Sequence, residues 1–341
     1  MPLLYEGMPL SEVRIDWRTK IVAWWEGFDL DAIRQKQEQQ RARLLEAKRD
    51  MSKQKDTPLP LPVEEPEIEN GLDRHGRALW SLTRIELAEL MWGEGYVEPG
   101  ATSWIPKLIA TLPLNRDSSL LDLSAGLGGV SRHAIEQYGT YVDAYEQSPL
   151  LVEEAGKRLK SIPDQSHINL DEFSLERFGI TRRYEFCVAL NVFYTIADKP
   201  LLWQHLSSVL KDRGQLVFTD FVIDGDTDLT CKPMKAWQDT ERLEPHLQTI
   251  GETEKQLTSA GFDVRTVEDL SSAYKRETKL GLSRLHDYLL AKDLDQDSKT
   301  ILTDEIALLT RRLLALENGL RVKRVHAILP ISAGESDDLT E

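Results

Sequence analysis

The sequence has little cysteine, fewer positive than negative side chains and no long apolar run; each of these removes a class of protein. Its two cysteines, Cys187 and Cys231, lie far apart and without metal-ligand spacing, so neither a disulfide framework nor a zinc site is expected. Such usage fits a reducing, cytoplasmic setting. Lysine and arginine number 42 against 57 aspartates and glutamates, a formal net charge of -15. A surface that tracks nucleic-acid phosphates needs clustered cations, so nucleic acid is not an expected partner. No apolar stretch is long enough for a transmembrane segment, and "MPLLYEGMPLSEVRIDW" lacks the basic start and apolar core of a secretory signal. The histidines, His205, His286 and His326 among them, show no metal-ligand spacing either.

What is present is 341 residues at 41% hydrophobic content, enough for one large core and an accessory element. In residues 1–52, Val13, Trp17, Ile21, Trp24, Trp25 and Phe28 recur at helical spacing, and "DAIRQKQEQQRARLLEAKRDM" is helix-prone but weakly amphipathic. A helical arm is expected there, able to fold back, dock on a protein partner or build a homodimer. Residues 53–71 carry four prolines among acids and read as a linker. Residues 72–117 read as a helical lid segment, 118–330 as an α/β domain, and 331–341 as a disordered acidic tail.

Within 118–330 strands and helices alternate: Leu120 to Leu123, a helix from Gly129 to Tyr138, a strand from Tyr141 to Glu146, a helix from Pro149 to Leu159, then "YEFCVAL" and "GQLVFTDFVI". The alternation predicts an α/β, Rossmann-like, doubly wound and mostly parallel sheet, with its ligand at the carboxyl ends of the strands. The turn Asp122-Leu123-Ser124-Ala125-Gly126-Leu127-Gly128-Gly129 places small residues where a backbone must bend sharply and admit a ligand. Glu146, at the end of the next strand, is suited to accept hydrogen bonds from both hydroxyls of a ribose. Spacing alone leaves a nicotinamide cofactor and S-adenosylmethionine both open.

"LLDLSAGLGG", "VDAYEQSP", "YEFCVALNVF" and "KDRGQLVFTDF" resemble, in order and spacing, the successive motifs of class I S-adenosylmethionine-dependent methyltransferases. "MWGEGYVEPGA" looks like the opening segment of the phosphoethanolamine N-methyltransferases and related small-molecule methyltransferases. The resemblance covers roughly Arg84 to Leu329. It implies S-adenosylmethionine as cofactor, cradled by Asp122, Ser124, Gly126 and Gly128, with Glu146 on the ribose, Gln147 beside it, Asn191 near the methionine end or the methyl group, and Tyr96 closing over the site. Tyr96, Tyr194, Asp220 and His133 are the candidate bases that the motif register brings near the cleft.

Several positions depart from the family pattern. Its first motif glycine is Ser124, which calls for a permissive backbone angle or a shifted turn. The acid that would meet adenine is replaced by Phe173 or Ser174, with Asp171 and Glu172 displaced along the strand. The tyrosine–histidine pair of the phosphoethanolamine branch reads Ala88 and Thr195, and its phosphate-gripping arginine and tyrosine fall at Glu244 and His246, a poor setting for a phosphate. The expectation is S-adenosylmethionine-dependent methyl transfer to a small organic or lipid-like acceptor. The alternative is a catalytically inactive relative that acts as a binding or scaffold subunit through its arm.

Overall fold

A computed structural model describes residues 71–101, 103–162, 164–173, 179–291 and 294–331. The expected arm, the linker up to residue 70 and the tail from residue 332 lie outside the described residues.

Helix α1 (Leu82–Trp92) starts at Ser81, whose side chain accepts the Arg84 N–H, and stops at Gly93, where φ of 102° ends the helical path. A short α2 (Ile105–Ile109) leads to β1 (Ser119–Asp122). There follow α3 (Gly129–Tyr138), β2 (Tyr141–Glu146), α4 (Pro149–Leu159), β3 (Ile168–Glu172), β4 (Tyr184–Leu190), α5 (Lys199–Val209) and β5 (Leu210–Ile223). The chain continues through α6 (Lys232–Gln238), α7 (Ile250–Ser259), β6 (Asp263–Asp269), α8 (Ser271–Ala291), α9 (Gln296–Leu316) and β7 (Leu320–Ile328).

The seven strands form one sheet in the order β3-β2-β1-β4-β5-β7-β6. Side-chain alternation divides its strands between two cores. Leu120, Val188 and Val217 pack on one face, with α2, α3 and α4. Leu121, Cys187, Leu216 and Phe218 pack on the other, with Trp203 and Leu206 of α5 and Leu257 of α7. Both faces are covered, which is why the central strands read as continuous apolar runs. The strand order reverses between β1 and β4, so a crevice opens at their carboxyl ends.

Two features depart from the sequence reading. β7 runs antiparallel to both β5 and β6, because α8 and α9, each of 21 residues, leave the carboxyl edge of the sheet and return to it. The next strand therefore enters from that edge, and Leu320 pairs with Ile223 at the end of β5. In addition, α8 has no counterpart in the sequence reading, and the helical stretch that the residue pattern gives from Asp304 to Glu317 starts earlier, at Gln296. Tyr274, Leu282, Leu285 and Leu289 are its buried side, at helical spacing. No described helix is long and apolar enough to cross a membrane.

Candidate active site

A cavity opens at the strand reversal. Its wall includes Gly95 to Glu98, Ser124 to Gly126, Glu146 and Gln147, Asn191, Tyr194 and Thr195, and on the side of the helical cover Trp80, Glu241, Arg242 and Arg312.

The glycine turn is held from behind. Asp122, fully buried, accepts the Ser124 N–H at 3.1 Å on one oxygen and the Ser131 hydroxyl at 2.7 Å on the other. Burial pushes its carboxyl up to about 6. Ser124 needs no special backbone angle: the left-handed positions are Gly126, at φ 54°, and Gly128, at φ 86°. Its hydroxyl instead accepts the Leu190 N–H at 2.8 Å and so ties β1 to β4. A Cβ on Gly126 would lie 3.0 Å from Val97, and one on Gly128 would lie 2.9 Å from Leu159. The cradle is therefore closed to side chains but open to a ligand. Gly128 and Asp122 shape the turn from behind the cavity wall rather than lining it.

Glu146 closes the other side. Its Oε2 accepts the Gly126 N–H at 2.9 Å and its Oε1 the Ser148 N–H at 3.0 Å. Burial outweighs those donors and pushes the carboxyl up to about 7. A carboxylate has about four lone-pair sites, so acceptor capacity remains toward the cavity. Gln147 follows on the same wall.

The lid turn is pinned from two directions. Glu89 of α1 accepts the Gly95 N–H at 2.9 Å and a two-pronged contact from Arg158 of α4, both prongs at 2.8 Å. Tyr96 then lies over Gly129 and donates its hydroxyl to the Gly129 carbonyl at 3.2 Å. Burial raises the Tyr96 phenol. The Tyr194 phenol, which donates to Glu241 at 3.3 Å, is raised well above its ordinary value, mainly by burial and by the Glu241 charge. Neither tyrosine ionises readily at neutral pH, so both are better donors than bases.

Asp220 and His133 do not line the cavity. Asp220 sits inside β5 rather than past its end, accepts the Tyr194 N–H at 3.0 Å and braces the turn after β4; burial pushes it up to about 7. His133 lies on α3, its ring 6.3 Å from Tyr138, and burial lowers its pKa. Ala88 is core, and the Thr195 hydroxyl donates to the Val192 carbonyl. Glu244 and His246 are off the cavity as well: Glu244 pairs with Arg74, and the His246 backbone bonds to Tyr194 and Lys199. Glu244 is therefore not part of the cavity wall, and the cations that do reach it are Arg242 and Arg312. Phe173 packs on Tyr145 with ring centroids 5.1 Å apart.

The family model for the methyltransferase domain matches residues 95–267, which spans the lid turn, the cradle, Glu146 and β4 to β6. The chain belongs to the methyltransferase-domain family. This methyltransferase domain is 24% identical over 213 residues to the phosphoethanolamine N-methyltransferase of Plasmodium falciparum, covering 60% of this chain and 75% of that protein. In fold it resembles Haemonchus contortus phosphoethanolamine N-methyltransferase 2, solved with phosphomonomethylethanolamine and S-adenosylhomocysteine. The TM-score is 0.63 at 18% identity, over 72% of this chain and 57% of that one. A cyclopropane synthase from Mycobacterium tuberculosis gives a TM-score of 0.59 at 15% identity, over 73% of this chain and 94% of that one. The nicotinamide reading of the glycine turn falls with the family assignment.

Sequence reasoning missed the polar wall opposite the cradle of the methyltransferase domain. Arg312 of α9 donates to Glu241 through Nε at 3.0 Å and Nη2 at 2.7 Å, and to the Tyr274 hydroxyl through Nη1 at 2.8 Å. The Trp237 indole N–H adds a 2.6 Å bond to Glu241. Farther out, Glu305 receives both Arg84, at 2.8 Å, and Arg242.

Proposed function

We propose that this protein transfers a methyl group from S-adenosylmethionine to a small organic acceptor held in the cavity between the glycine turn and the cover built by α1, α6, α8 and α9. The observation that carries this reading is Glu146: a half-buried carboxylate fixed by the Gly126 and Ser148 N–H groups, on the wall of a cavity whose glycines exclude side chains. The residues fit the cofactor. Glu146 and Gln147 would hold the ribose hydroxyls, Ser124 to Gly126 would pass beneath the methionine portion, and Val97 and Tyr96 would close over it.

When bound, S-adenosylmethionine supplies a methyl group on a sulfonium that departs as a neutral sulfide. The chain's own contribution is then to align the acceptor and keep water out, and alignment alone accounts for much of such a barrier. Tyr96 and the Glu89–Arg158 clasp keep the lid turn seated on α3. Tyr194 and Thr195 furnish the wall after β4. The acceptor side mixes Trp80, Leu243 and Leu308 with Arg242, Glu98 and Glu241, which suits a compact molecule that is partly polar.

Calorimetric titration with S-adenosylhomocysteine tests the reading, repeated on Glu146→Ala and Gly126→Val. Micromolar binding lost in both variants supports it; a folded protein that does not bind overturns it. For residues 1–52 we propose self-association, read by light scattering before and after removal of residues 1–69; an unchanged number of chains per particle overturns that part.

A further inference from the structure

Lys199 is a buried cation with no place on the cavity wall. It is the first residue of α5 and is 4% exposed. A cation at the amino end of a helix opposes the helix dipole, and taking an ammonium out of water is costly. An apolar side chain of similar length would fill the space without either penalty, so the explanation for the ammonium lies in the bonds it makes.

Those bonds join two stretches of cavity wall. Nζ donates to the Ile196 carbonyl at 2.9 Å and also to the His246 carbonyl. Ile196 follows Tyr194 and Thr195, the wall after β4; His246 lies in the irregular segment 239–249 between α6 and α7, whose Glu241, Arg242 and Leu243 form the facing wall. The His246 N–H donates to the Tyr194 carbonyl at 2.6 Å and the Tyr194 N–H to Asp220 at 3.0 Å, so both backbone groups of Tyr194 are held. The Tyr194 hydroxyl crosses the same gap to Glu241 at 3.3 Å. Asp220 supplies the countercharge: it works against the burial that lowers the Lys199 amine. The segment that carries half of the wall has no helix or strand of its own, so these links decide where it sits.

We propose that Lys199 is a positioning residue for the methyl end of the cavity: its ammonium clamps the turn after β4 to the segment 239–249 and so fixes the Tyr194 wall beside which the methyl group is presented. This deepens the methyltransferase reading above and rests on it. The nucleoside end has separate supports. Glu146 is held by the Gly126 and Ser148 N–H groups, and Asp122 holds Ser124 and Ser131. A change at Lys199 therefore acts on the methyl end and spares the ribose end.

The test titrates the full-length protein with S-adenosylmethionine and with S-adenosylhomocysteine. The two differ by the methyl group and the sulfonium charge, so the ratio of their affinities reads the methyl end and cancels effects on the rest of the site. Lys199→Met is expected to weaken S-adenosylmethionine about three- to tenfold relative to S-adenosylhomocysteine, the range of one lost hydrogen bond, with S-adenosylhomocysteine affinity unchanged. Lys199→Arg, which keeps the charge and the donors, recovers part of that loss. Lys199→Gln keeps a donor without the charge, gives a smaller shift in the same direction, and covers the case of a Met variant that does not fold. A purely structural role moves both affinities together or neither, and either result overturns the proposal. Hydrogen exchange at the His246 amide reads the clamp with no ligand present: it should be several-fold faster in Lys199→Met, and exchange as slow as in the parent also overturns the proposal. A parent protein that binds neither ligand counts against the methyltransferase reading, whereas a parent that binds both, with a ratio indifferent to Lys199, counts against the positioning role alone.

Discussion

Gly95 and Gly129 pack backbone to backbone: the Gly129 N–H donates to the Gly95 carbonyl at 2.9 Å, and a Cβ on Gly129 would lie 2.6 Å from that oxygen and 2.8 Å from the Tyr96 ring. Gly129 is the first residue of α3, where alanine would ordinarily favour the helix by up to about 1 kcal/mol. Overlap with a backbone oxygen that cannot swing aside outweighs that gain. Gly129→Ala is expected to lower stability by about 1–3 kcal/mol and to weaken S-adenosylhomocysteine binding, because the turn bearing Tyr96 and Glu98 must shift. Urea denaturation and calorimetry read both; a variant as stable as the parent would show that this contact does not set the lid.

Ser124 makes a sharper test of how the turn is built. Replacing it with the glycine usual in the family removes the hydroxyl that accepts the Leu190 N–H at 2.8 Å and donates to Asp122 at 3.4 Å. The serine occupies no left-handed position, so glycine brings no relief of strain and adds backbone entropy to the unfolded chain. Ser124→Gly is expected to cost about 1–2 kcal/mol without tightening nucleoside binding. Tighter binding at unchanged stability would mean that the serine is a defect rather than a brace.

The β1–α3–β2 unit was legible in the sequence because its signals are local: an apolar run, small residues in the turn, helical periodicity, and an acid 20 residues beyond Gly126. The cover was not. The direction of β7 depends on a pair of long helices returning to the edge they left, and no pattern within β7 records it. The polar wall was hidden for the same reason: Tyr274 meets Glu98 across 176 residues, and Arg312 meets Glu241 across 71. Asp220 misled because a strand-end acid in a motif reads like a base, whereas its environment, deep in β5 under the Tyr194 N–H, makes it a brace.

Glu146 gives the site a pH dependence with a defined sign. Its carboxyl is pushed from the ordinary carboxylate range up to about 7, so in the free protein it is largely protonated below that pH. Ribose hydroxyls donate more strongly to the charged form, so binding favours loss of the proton. Affinity for S-adenosylhomocysteine should rise as pH rises through about 7, by at most about tenfold per unit since one proton is involved, and level off above it. Glu146→Gln should flatten that rise. Asp122, pushed up to about 6 behind the cavity wall, is still present in the variant, so a slope that persists would assign the titration to Asp122 instead.

The Arg312–Glu241 pair holds the cover together and tests whether charge or packing does so. Both side chains are nearly inaccessible, at 7% and 3% exposure, and the guanidinium lies 5.0 Å from the centre of the Phe221 ring. Arg312→Met keeps the volume but leaves Glu241 charged and without its cation, facing Trp237 and Tyr194 alone. The expected cost is about 3–5 kcal/mol, the usual penalty for half of a buried ion pair. Adding Glu241→Leu should recover most of that loss, because a buried pair is worth little against apolar side chains of similar size. Urea denaturation of the parent, the two single variants and the double variant measures the coupling. A double variant no more stable than Arg312→Met would place the stabilisation in the 2.8 Å bond to Tyr274 and the contact with Phe221, and α8 rather than α6 would then be the element that Arg312 secures.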